Sequence, residues 1–146
     1  MYESLQPELG MLLRVFFASL LGFMIGIERR GGPRGAGPRT FSLICLGSAF
    51  FSVLAVVSFP AETATARVVG QIVTGVGFIG AGVIWRQEGD ILHGITTAAA
   101  IWVSAAVGLS VGLGYFVVAF FVAVMAMFIL ARGHPIEEAK KHICTE

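Results

Sequence analysis

From Gly94 to Ala131 the chain runs for 38 residues without an Asp, Glu, Lys or Arg. As one α-helix this run would be about 57 Å long at 1.5 Å per residue, nearly twice a hydrocarbon core of about 30 Å. It must fold back on itself, and Gly112-Leu113-Gly114-Tyr115 supplies the turn. Three further apolar runs precede it: Leu9 to Ile27, interrupted only by Arg14, then Phe41 to Ala61 and Val68 to Trp85, both uncharged. Each is close to the ~20 residues a transmembrane helix needs. None shows the period-two alternation of a membrane β-barrel strand, so the fold is expected to be all-α. The expected architecture is a five-transmembrane-helix bundle, a polytopic domain over 1–131 with helices near 9–27, 41–59, 68–85, 95–112 and 115–131, followed by a short tail over 132–146.

Composition agrees: 56% of the residues are apolar and 13% charged, where a soluble domain carries about 25% charge. Ten basic side chains nearly balance nine acidic ones, which leaves no electrostatic footprint for nucleic acid. Cys45 and Cys144 form neither a disulfide framework nor a zinc spacing and read as free thiols. The first run follows Glu3 and Glu8 rather than Lys or Arg, so it reads as a retained helix and not a secretory signal. Arg29, Arg30, Arg34 and Arg39 lie in the first connection, Arg86 in the third, and Arg132, Lys140 and Lys141 in the tail. All fall on one side, which the excess of basic residues marks as cytoplasmic, so the N-terminus is expected outside and the C-terminus inside. Trp85 and Tyr115 are expected to sit at the membrane interfaces.

Gly75 to Gly82, GVGFIGAG, satisfies G-x-G-x-x-G. A dinucleotide loop needs that pattern between a strand and a helix, with an acidic residue about 20 positions on. Here it lies inside an uncharged span, and no carboxylate occurs from Ile91 to Leu130. In lipid, glycine instead allows backbones to approach closely, which makes Gly70, Gly75, Gly77, Gly80 and Gly82 packing positions and the third helix a central one. Arg67, Gln71, Thr74 and Phe78 recur at i, i+4, i+7 and i+11, a row expected to face protein or water. Arg14, Ala18, Gly22 and Gly26 repeat at four-residue spacing on the first helix, as do Ala100, Ser104, Gly108 and Gly112 on the fourth. The fifth helix has neither glycine nor a polar side chain from Phe116 to Leu130 and is expected at the periphery.

Arg14 and Arg67 are candidate functional residues because lipid solvates a cation poorly. The bland alternative is snorkelling with a local partner such as Glu62; two arginines on one cavity would instead favour an anion or a lipid headgroup. The segment from Glu28 to Thr40 reads as a basic topogenic turn or a docking loop, shaped by Glu28 pairing with Arg39 or Arg86. Thr96 or Thr97 is expected to cap the fourth helix. Trp102, about 8 to 10 Å past that helix start, is expected to find an indole N–H partner inside the bundle. No nucleophile, base and orienting group are clustered, so no enzyme, cofactor or metal site is expected.

The stretches IGIERR, GPRT, RVVGQIVTGVGFIGAGVI and GITTAAAIWVSAAVGLSVG resemble the MgtC/SapB family of bacterial inner-membrane proteins, in order from about Leu9 to Ala131. The resemblance maps onto Gly26, Glu28, Arg29, Arg39, Thr40, Arg67, Gly70, Gln71, Gly75, Gly77, Gly80, Gly82, Gly94, Thr97, Ala98 and Trp102. It implies a multi-pass inner-membrane protein linked to growth at low magnesium, intracellular survival and restraint of the ATP synthase. Many family members carry a soluble domain after the last span, and its role is not transferred to this chain. Magnesium needs oxygen ligands, and no Asp or Glu lies in the middle of any run. A modulator of a membrane complex is thus expected ahead of a small ion transporter or channel, with membrane lipids and a second copy of the chain as further partners. Fluorescent-protein fusions test the orientation: one after Glu146 should fluoresce, one inserted after Pro60 should stay dark, and the reverse pattern would invert the topology.

Overall fold

The computed structural model describes residues 2–29, 36–59, 61–86 and 92–131. They form five helices, α1 (Tyr2–Ile27), α2 (Pro38–Ser58), α3 (Glu62–Gly82), α4 (Ile95–Gly112) and α5 (Phe116–Ala131), and two short strands, β1 (Trp85–Arg86) and β2 (Leu92–His93). The strands are antiparallel, with Trp85 opposite His93 and Arg86 opposite Leu92. The tail, Arg30, Arg34 and the residues between Arg86 and Leu92 lie outside the described residues.

Three helices begin before their apolar runs, because hydrogen bonding and not hydropathy sets a helix end. α1 starts at Tyr2. α2 starts at Pro38, whose missing N–H costs nothing in a first turn, and α3 starts at Glu62, a carboxylate placed on the positive end of the helix dipole. α3 also stops at Gly82, three residues before the expected end, where the chain turns into β1. α4 ends in a Schellman motif: Gly114 has φ +93°, Tyr115 N–H donates to Ser110 C=O at 2.8 Å, and Gly114 N–H donates to Val111 C=O at 3.0 Å.

The helices α1, α2, α3 and α4 contain stretches long and apolar enough to cross a membrane. With 16 residues α5 is shorter, about 24 Å. It lies at the periphery, burying Ala119, Ala123 and Leu130 while Val117, Phe121 and Ile129 are exposed.

The core lies around α2 and α4. A Cβ added at Gly22 of α1 would stand 2.5 Å from the Phe41 carbonyl oxygen and 2.9 Å from Cys45 Sγ. One added at Gly108 of α4 would stand 2.9 Å from Cys45 Cα and Ser48 Cβ. The α2 backbone is thus approached by glycines from two sides, at separations that van der Waals packing needs when lipid supplies no hydrophobic drive. Small polar residues fit this seam because their donors are satisfied locally. Ser52 Oγ donates to Ser48 C=O at 2.7 Å, Ser104 Oγ to Ala100 C=O at 2.9 Å, and Cys45 Sγ to Ser104 C=O at 3.0 Å.

The third helix departs from expectation. Only 11% of its apolar window is buried, against 56% for α4, so α3 is an edge helix within the chain. Among the described residues, no atom outside the local helix backbone lies within 4 Å of a Cβ built at Gly70, Gly75, Gly77 or Gly82; of the α3 glycines Gly80 alone meets a neighbour, Ala98, at ordinary contact distance. Arg67, Gln71, Thr74 and Phe78 are exposed, Phe78 by 84%. α3 packs through Val76 and Gly80 instead, about half a turn of the helical wheel from that row.

This contrast is measurable. Gly108→Ala should lower the thermal stability of the detergent-solubilised protein by about 1–3 kcal/mol through overpacking. Gly77→Ala should leave it unchanged or raise it by up to about 1 kcal/mol, the helix-propensity gain alone; equal losses at both positions would contradict the packing described.

Candidate functional site

One polar cluster forms where α1 ends and α2 and α4 begin. Arg29 follows the last turn of α1, its N–H bonded to Gly26 C=O at 3.1 Å, and its Nη2 donates to Thr97 Oγ1. Thr97 is 3% exposed on α4, so this hydrogen bond joins a cation to a buried hydroxyl across the bundle end. Gly94 precedes α4 with φ +90° and its Cβ position is blocked by the Val83 carbonyl group, so only glycine fits there. The α4 N-cap is therefore Gly94, with no side-chain cap; the expectation that Thr96 or Thr97 caps the helix is corrected, Thr97 being turned toward Arg29. Trp85 stacks on His93 at 5.6 Å with a 17° interplanar angle, closing the strand pair beside this end.

Phe23, Gly37, Pro38, Arg39 and Thr40 surround a recess of about 510 Å³ at the same end. Thr40 N–H is held by Gly37 C=O at 3.0 Å, which fixes the start of α2, and Arg39 is exposed. Glu28 and Arg86 each keep an interaction partner. Gly26 packs against Pro38 and Phe41, which brings the end of α1 onto the start of α2. Glu28, Arg29, Arg39, Thr40 and Thr97 thus share one end of the bundle.

At the other end Arg14 and Arg67 are not brought onto one cavity. Arg14 Nη1 donates to Gly112 C=O at 3.0 Å, and its guanidinium carbon lies 5.9 Å from the Phe116 ring centroid. The carbonyl belongs to the last turn of α4, whose unpaired acceptors and negative dipole end suit a cation. Arg14 is a brace between α1, α4 and α5. Arg67 and Gln71 instead line a groove of about 820 Å³ between α2 and α3, together with Leu43, Gly47, Phe51 and Gly75 among others. Thr74 lies outside that lining and spends its hydroxyl on Gly70 C=O at 3.0 Å in its own helix.

Trp102 is also corrected. It is 51% exposed on the outer face of α4, in line with Ile95 and Ala99 at helical spacing, and has no indole N–H partner among the described residues. The described residues contain no group of three or more His, Cys, Asp or Glu able to hold a metal ion. Sequence reading missed three features: the Arg29–Thr97 bond, the Arg14 brace and the α2–α3 groove. The groove had a signal in Thr40, Ile44, Gly47 and Phe51, one face of α2 at i, i+4, i+7 and i+11.

A bundle of apolar helices with small-residue seams and polar groups gathered at its ends defines an integral membrane protein. The chain belongs to the MgtC family, which it matches over residues 15–139. It is 40% identical to SrpB of Synechococcus elongatus over 118 residues, 73% of this chain and 65% of SrpB. It is 44% identical to MgtC of Salmonella typhimurium over 105 residues, 72% of this chain and 44% of that protein. With YhiD of Escherichia coli K12, whose name assigns it provisionally to magnesium transport, it shares 38% identity over 130 residues, 84% of this chain and 60% of YhiD. The chain therefore spans roughly half to two thirds of these relatives' lengths. No solved structure matches it.

Thr97→Val removes the acceptor of Arg29, and Arg29→Met removes the donor. Each should cost about 1.5–3 kcal/mol of stability, the range for a hydrogen bond to a charged group. The double variant should cost little more than the worse single, and full additivity in thermal unfolding would refute a direct interaction.

Proposed function

We propose that this chain is a non-enzymatic, multi-pass protein of the bacterial inner (cytoplasmic) membrane that modulates a larger membrane complex under magnesium limitation or related stress. The carrying observation is the outward row of Arg67, Gln71 and Thr74 on the least covered helix. A polar row on the outside of a bundle is costly in hydrocarbon unless something covers it. A partner's helix is one such cover, and the open glycines beside the row permit its close approach. A second copy of the chain is another, giving a homodimer. At the opposite end the exposed Arg39 offers a charged group for docking. The magnesium link rests on the family and on YhiD's name, and the ATP synthase stands as a candidate complex by family resemblance.

In this reading all five helices cross, with the N-terminus outside and the C-terminus in the cytoplasm. At about 24 Å, α5 is short for the core, a mismatch that local thinning or flanking residues accommodate at modest cost.

The second reading is a small transporter or channel with its path at a helix or dimer interface, favoured by the placement of Arg67 and Gln71 in the α2–α3 groove. Its difficulty is charge: an arginine on the path raises the barrier to a cation. Copurification from the native host in mild detergent should recover a stoichiometric membrane partner, and proteoliposomes should show no magnesium or anion flux above protein-free vesicles. Recovery of the protein alone, with a flux that Gln71→Leu abolishes, would establish the second reading over the first.

A further inference from the structure

We infer that the groove between α2 and α3 is a binding site for one anionic phospholipid, with the phosphate at Arg67 and Gln71 and an acyl chain lying along the groove toward Thr40 and Ile79. The groove is open on its outer side and almost wholly apolar, its polar exceptions being Arg67 and Gln71 near one end and Thr40 and Ser48 on α2. From Arg67 to Ile79 it extends for about 18 Å along α3 at 1.5 Å per residue, slightly more than the roughly 15 Å of one hydrocarbon leaflet. Gly47 on α2 and Gly75 on α3 both line it, and nothing lies within 4 Å of a Cβ placed on either. These glycines keep a channel open between two helices instead of closing a contact.

Arg67 and Gln71 are one helical turn apart, exposed, and without a hydrogen bond or ion pair among the described residues. Arg67 stands five residues inside α3, about 7.5 Å from its start. Side chains on a helix lean toward its N-terminus, so both groups reach toward the near membrane interface, where lipid phosphates lie. A guanidinium and an amide there supply several N–H donors, and a phosphate supplies the acceptors and the opposite charge.

Charge complementarity selects lipid over a second copy. A symmetric partner in the same membrane presents the same residues at the same depth, so it would bring another Arg67 and no carboxylate. Glu62, the nearest acid in sequence, belongs at the helix start, about 7.5 Å further out. Every phospholipid brings a phosphate at the interface with an apolar chain below it. A headgroup without an amine leaves that phosphate uncompensated, which favours phosphatidylglycerol over phosphatidylethanolamine. The site shares Arg67 and Gln71 with the row above but engages them from the α2 side, which leaves Thr74 and the open glycines Gly70 and Gly77 for the docking role, and it holds for either orientation of the bundle.

The test is native mass spectrometry of the full chain released from detergent containing phosphatidylglycerol or phosphatidylethanolamine. One phosphatidylglycerol should be retained per chain with at least a tenfold preference, undiminished by inorganic phosphate at the same concentration. Arg67→Gln should reduce the preference to near unity, Gly47→Leu should displace both lipids by filling the floor, and Arg14→Gln should change neither. A phosphatidylglycerol carrying a photoreactive acyl chain provides a readout on the unaltered protein and should label 43–51 and 68–79. Retention untouched by both groove variants, labelling confined to other helices, or competition by free phosphate would each overturn the assignment.

Discussion

Lipid offers a helix no reason to leave it except better contact, and the contacts that organise this chain are made on α2. Gly22 of α1 and Gly108 and Gly112 of α4 bring two backbones against the small residues Cys45, Ser48, Ala49 and Ser52, and Gly26 of α1 meets Pro38 and Phe41 at the start of α2. The Cys45 thiol and the Ser52 and Ser104 hydroxyls in that seam bond to backbone carbonyls, and among the described residues no fully buried side-chain nitrogen or oxygen lacks a partner. Three helices are fixed by this arrangement. Helices α3 and α5 then join from the sides, α3 through Gly80 against Ala98 and α5 through its alanines.

Much of this was legible in the chain. The apolar runs located the helices, since their lengths answer to a fixed bilayer thickness, and the glycines in the four-residue rows on α1 and α4 are the ones that meet α2. The third helix carried an equally strong small-residue pattern and was misplaced. A glycine pattern records that a surface can be approached closely, but not whether the neighbour belongs to the same chain. Trp102 failed for a related reason: depth along a helix follows from residue count, whereas the direction of a side chain follows from which neighbours surround that helix. Arg14 and Arg67, alike in sequence as cations near helix ends, separate in three dimensions because one meets the closing turn of α4 and the other an open groove.

The polar groups therefore fall into two kinds. Arg14, Arg29 and Thr97 are occupied with holding the helices to one another. Arg67, Gln71 and the exposed Arg39 are not, and they belong to surfaces that face outward from the chain. The polar groups of the α2–α4 seam are small, and Cys45, Ser52 and Ser104 already bond to backbone carbonyls, so the proposed function is placed on the outward surfaces.

The Arg14 bond to Gly112 joins residues 98 positions apart. A ribosome delivering α1 into the membrane thus releases a cation long before its acceptor has been synthesised. Until the end of α4 arrives, that guanidinium is left to water or lipid headgroups. Completion of α4 supplies that acceptor, so the first helix gains this brace only after the fourth has been made.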